Sequence, residues 1–145
     1  MKLTNEVVIA CTLVDCKEEY SIYRLDKPSE EVVEYIVKEV ILDKLEGMLK
    51  TRGEYSLDTM SNREDVLRAV LLDPTTYCYM GVQGDTITDM IVMVNSSSIH
   101  CTDLYGNFIL WVDSQYGMAL YRTMLSDISA LGVRVVNICR YIGNG

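Results

Sequence analysis

Apolar positions change their spacing along this chain, and each change marks an element. VVIACTLV at 7–14 and YSIYRL at 20–25 are dense in β-branched and aromatic residues, with the charged DCKEE between them, which predicts two strands and a turn. From Pro28 the spacing becomes helical. Pro28-Ser29-Glu30-Glu31 offers an N-cap and two acids for a first turn, and Val33, Ile36, Val37, Val40, Ile41 and Leu45 follow on one face, predicting a helix of about four turns. After the polar KTRGEYSLD, Ser61-Asn62-Arg63-Glu64 has capping-box form ahead of Val66, Leu67, Val70 and Leu71, and Asp73-Pro74 closes this second helix.

The period then returns to that of strands. TYCYMGV at 76–82 and TITDMIVMV at 86–94 flank Gln-Gly-Asp, a hairpin signal, and residues 99–105 with FILWV at 108–112 predict another pair around Gly106-Asn107. A third helix is expected from Gly117 to Leu131, with Tyr121, Met124, Leu125, Ile128 and Leu131 as its apolar stripe and Gly132 as its C-cap. The strand VRVVNICRYI follows at once. The order implies an α+β fold with a mixed, mostly antiparallel sheet, in which 108–113 and 133–141 lie parallel across a right-handed crossover.

Composition narrows this picture. A chain of 145 residues, 49% of them hydrophobic, can fill one core, so a single domain over 1–145 is expected. Its apolar runs are too short to span a bilayer, and MKLTNE turns polar where a leader would become apolar, which points to the cytoplasm. The formal charge of −8 argues against direct nucleic-acid binding. The acids crowd into 15–46, as a solvated helix face or as a surface for a basic partner. Cys11, Cys16, Cys78, Cys101 and Cys139 are scattered among apolar neighbours, which suits reduced thiols and no metal site.

A strand, two helices, a meander, then strand, helix and strand is the layout of the GNAT-type N-acetyltransferases, and the chain resembles that family from Tyr20 to Ile142. YCYMGVQGDTITDMIVMV is similar to its second and third strands, and FILWVDSQYGMALYRTMLSDISALGVRVVNI to its fourth strand, cofactor helix and fifth strand. The degenerate GNAT-like proteins of bacteriophage virions resemble it most. The resemblance implies that backbone N–H groups opening the crossover helix, at Gly117, Met118 and Ala119, hold the coenzyme A pyrophosphate. It also implies that the preceding strand, at Val112, supplies a main-chain donor for the thioester oxygen.

The chain departs from the family pattern in ways that weaken such a site. Ser114 stands where Arg or Gln is usual, four residues from Asp113 to Tyr116 make a short loop, and Asp113 would repel a phosphate. The sequence also stops at Gly145, so the family's later helix and strand pair are not represented and the sheet is truncated after the fifth family strand. Gly117 also reads simply as a helix start that needs no Cβ. Asp113 and Tyr141, at the ends of adjacent parallel strands, offer the best acid/base pair, although simple solvent exposure is the reading that the sequence favours for both. The lone His100 reads as a packed or surface residue, and alternation sends Asp89 to solvent.

The expected function is therefore a non-catalytic GNAT-like interaction or assembly module needing no cofactor, phage structural or host-directed, and located in the virion if phage-encoded. Its partner, a second copy or another protein, would engage the C-terminal strand, whose edge carries Val133, Val135, Val136, Ile138 and Ile142. The alternative is a small acetyl-CoA-dependent N-acetyltransferase. A third reading is an acidic inhibitor of a nucleic-acid enzyme.

Overall fold

The computed structural model describes residues 2–52, 57–96 and 104–138, with side chains over the same residues except 48–52 and 57–62. His100, Cys101, Cys139, Tyr141 and Ile142 lie outside the described residues. The elements run α1 (Asn5–Ile9), β1 (Cys11–Lys17), β2 (Tyr20–Leu25), α2 (Glu30–Tyr35), a π-helical segment (Ile36–Ile41), α3 (Leu42–Arg52), α4 (Leu57–Leu72), β3 (Tyr77–Gln83), β4 (Thr86–Asn95), β5 (Leu104–Val112), α5 (Gly117–Ala130) and β6 (Val135–Asn137). The six strands lie in sequence order in one sheet, antiparallel except for the parallel pair β5–β6. This is the mixed α+β architecture that the periodicity implied.

Several boundaries differ from the sequence reading. The run at 7–14 is not one strand, because Thr4 caps a short helix by accepting the Val7 N–H at 3.4 Å, Val7 is fully buried, and the strand begins at Cys11. Ser61 does not cap α4, which already starts at Leu57. Gly106-Asn107 is no turn. Gly106 pairs with Val94 inside β5, and a bulge leaves Phe108 without a partner on β4. By contrast, Ser29 caps α2 by accepting the Val32 N–H, and Gly132 at φ +102° follows α5 as expected.

Helices cover both faces of the sheet. Met80, Val82, Met90, Val92, Ile109 and Trp111 pack under α1–α4, while Tyr79, Ile91, Met93 and Tyr105 pack with Leu120, Met124 and Ile128 of α5. Each of those three α5 side chains contributes about 1.5–3 kcal/mol by leaving water. The wide turn of the π segment, where the Leu42 N–H reaches Val37 O, keeps Ile36, Val37, Val40 and Ile41 all buried. Beyond it, Lys44 of α3 arrives over the end of β5.

Candidate functional site at the β5–α5 junction

Val112 ends β5 and Gly117 opens α5, so the chain reverses within four residues. What holds that reversal is Asp89 of β4, which is fully buried rather than solvent-facing. Its Oδ1 accepts the backbone N–H groups of Asp113 at 2.7 Å and Ser114 at 3.0 Å. Its Oδ2 accepts the Tyr20 hydroxyl at 2.5 Å and the Ser114 hydroxyl at 2.5 Å, with Thr88 Oγ1 at 3.2 Å. Every strong neighbour is a donor, so a carboxylate is satisfied here without a cation. Burial, and then the bond to Asp89, push the Tyr20 hydroxyl well above the usual tyrosine range.

The surroundings are shaped to admit this hub. A Cβ on Gly81 would lie 1.7 Å from Tyr20 Oη, so a glycine there makes room for the tyrosine–aspartate bond. The Tyr20 ring stacks on Tyr116 of the loop at 4.7 Å, and the Tyr116 N–H donates to Ser114 Oγ at 3.0 Å. Gly117 has the same steric logic, because its Cβ would meet Val112 Cγ1 at 2.5 Å. Its backbone is not left-handed, so space against Val112 is what the position requires.

The amides beyond the loop have a different fate. The first intrahelical bond of α5 runs from the Leu120 N–H to Tyr116 O, no side chain caps the helix, and no acid occupies its first turn. Gly117, Met118 and Ala119 thus present three N–H groups at the positive end of a 14-residue helix. On β5, the Asp113 N–H bonds Thr88 O at 3.2 Å. Antiparallel alternation therefore turns the N–H groups of Val112 and Leu110 away from β4, toward the edge shared with β6. The described β5–β6 ladder covers Leu104–Gly106 and Val135–Asn137.

Asp113 is not free. Its side chain turns to the α3 face, where Lys44 Nζ lies 2.6 Å from Oδ2. At this junction Val112 and Met118 are exposed, beside Gly117 and Ala119, and the Asp113 carboxylate is engaged by Lys44. Near the Phe108 bulge, a groove of about 240 Å³ is lined by Leu45, Arg63, Val66, Leu67, Phe108 and Ile109. A cavity of about 590 Å³ between α1 and α2 lies past the other end of β2 and holds none of the predicted site residues. Among the described residues there is no cluster of metal-ligating side chains, Cys11, Cys16 and Cys78 are free thiols, and no helix is long and apolar enough to cross a membrane.

No protein-family model matches the sequence, and no curated protein matches it. Solved structures do resemble the fold. An aminoglycoside acetyltransferase from an uncultured soil metagenomic sample, in complex with trehalose, superposes with a TM-score of 0.60 at 14% identity, over 87% of this chain and 80% of that one. A second such acetyltransferase from soil gives 0.58 at 10% identity, over 88% and 83%. A GCN5-related N-acetyltransferase from Ralstonia eutropha JMP134 gives 0.55 at 15% identity, over 83% of each chain. At these identities the similarity establishes the fold, which is that of the GNAT-type acetyltransferases.

Proposed function

We propose that the protein is an N-acyltransferase that takes its acyl group from a coenzyme A thioester. The observation that carries this reading is the start of α5: three donor N–H groups without a cap, no acid in the first turn, and the Asp113 carboxylate drawn to the opposite face by Lys44. The N–H groups of Gly117, Met118 and Ala119 fit a phosphate, and those of Val112 and Leu110 face the edge along which a thioester arm would lie. In the transfer, the amine nitrogen bonds to the acyl carbon, the carbon–sulfur bond breaks, the amine proton passes to a base, and the thiol leaves. Asp89 and Asp113 are both committed to partners, which leaves water or another group as the base; Tyr141, outside the described residues, remains the sequence candidate. The apolar groove beside Phe108 suits an acceptor with an apolar portion.

A non-catalytic module remains the second reading, favoured by the engagement of Asp89 and Asp113, the acids nearest the junction, with partners of their own. Its docking edge would be β6, where Val135 is exposed. A virion or host-directed role rests on the sequence resemblance alone.

Calorimetry with acetyl-CoA decides between the readings. Binding in the micromolar range is expected, about −8 kcal/mol, and Met118→Glu, a change at an exposed site, is expected to weaken it about tenfold or more by placing an anion beside the phosphate donors. Absence of heat with the unaltered protein would reject the enzyme.

A further inference from the structure

We infer that Asp89 is a positioning residue of the acyl-donor site, a buried acceptor that fixes the β5–α5 loop before any ligand arrives; the inference rests on the acyltransferase reading. Ser114, which stands where the resemblance leads one to expect Arg or Gln, is turned inward to Asp89. Its hydroxyl and its N–H both bond Asp89, and the same oxygen accepts the Tyr116 N–H, so one side chain ties both ends of the turn to β4. Asp113 is held through its own N–H, also on Oδ1.

These bonds divide the amides of the junction into two sets. Asp113, Ser114 and Tyr116 are satisfied internally, while Gly117, Met118 and Ala119 are left for a ligand. A loop so tethered aims those three N–H groups without drawing on the ligand's binding energy for its own ordering. The short loop and the serine, which weaken the site when judged against the family pattern, thus belong to one device whose other half is Asp89.

The test compares the unaltered protein with Asp89→Asn, Ser114→Ala and Asp127→Asn. Asp127 lies far along α5, where its carboxylate accepts Arg24 and Tyr79, so its variant reports general loss of stability. In the unaltered protein, amides 113, 114 and 116 should be protected from hydrogen exchange without ligand, and acetyl-CoA should add protection at 117–119. Asp89→Asn should raise exchange at 114 and the acetyl-CoA Kd, each about tenfold, and exchange at 113 less, because that N–H also bonds Thr88 O. Asp127→Asn should lower the melting temperature and move neither. If Asp89→Asn does not fold, Ser114→Ala decides: amide 116 should exchange at least about threefold faster, the loss of a weak hydrogen bond.

Unchanged exchange and affinity in Asp89→Asn, or equal changes in Asp127→Asn, would overturn the inference. If the unaltered protein binds no acetyl-CoA, the acyltransferase reading fails and the donor-site role with it. Exchange at 114 would then still report whether Asp89 organises the loop.

Discussion

Two polar networks in this molecule use similar chemistry in opposite settings. Beneath the β5–α5 junction, Asp89 is sealed from water and each of its oxygens has strong donors. Between α2 and α4, Glu34 takes Arg68 at 2.6 Å and Lys38 at 2.8 Å, and Arg68 also reaches Glu64 and Asp65, all with water close by. In the second network a lost partner is replaced by solvent. In the first it is replaced by nothing, so the sealed network dictates the path of the backbone and the exposed one decorates helices already placed by apolar packing.

The largest expected effect follows from removing the hub. Asp89→Ala removes the acceptor of the Tyr20 and Ser114 hydroxyls and of the Ser114 N–H, while the Asp113 N–H keeps Thr88 O, and should cost about 3 kcal/mol or more, read as a lower denaturation midpoint. Gly81→Ala comes next: its Cβ displaces the Tyr20 hydroxyl, for a cost of about 1–3 kcal/mol. Gly117→Ala should cost about 1 kcal/mol or more through Val112, and Val112→Ala in the same chain should recover part of that, a coupling a double-mutant cycle measures.

The exposed network gives the smallest effect and the one that depends on pH. The hydrogen bond from Arg68, aided by Lys38, holds the Glu34 carboxyl down at about 2. Its folded value is below its unfolded one, so its contribution is present above the ordinary carboxylate range and fades as pH falls from about 4.5 toward 2. The difference in melting temperature between the protein and Glu34→Gln should be small and flat near neutrality, shrink at high salt, and vanish at the acid end. A gap that persisted at pH 2 would show that Glu34 acts by packing.

Much of the fold was legible because it rests on local chemistry. The Ser29 cap, the Gln-Gly-Asp hairpin with Gly84 at φ +61°, and Met124 and Ile128 of α5 with Gly132 behind it are signals carried within a few residues, although the buried stripe of α5 begins at Leu120 and leaves Leu131 exposed. Val112, Gly117, Met118 and Ala119 could be placed at one junction for the same reason. The misreadings share a different origin. Gly106-Asn107 looks like a turn to any local rule, yet pairing with β4 carries the strand straight through it. Asp89 was sent to solvent by an alternation rule that assumes one wet face, whereas this sheet is covered on both, so Asp89 falls in line with the buried Ile91 and Met93.

The sequence by itself determined the order and type of most elements and the crossover that makes β5 and β6 parallel, since periodicity, caps and turn residues act over short distances. The tertiary structure alone decided what each acid does. Asp113 is turned away by Lys44, 69 residues earlier in the chain, and Asp89 gathers Tyr20, Asp113 and Ser114 from positions up to 69 residues away. A carboxylate's role depends on which donors reach it and whether water does, and both are fixed only when distant segments pack.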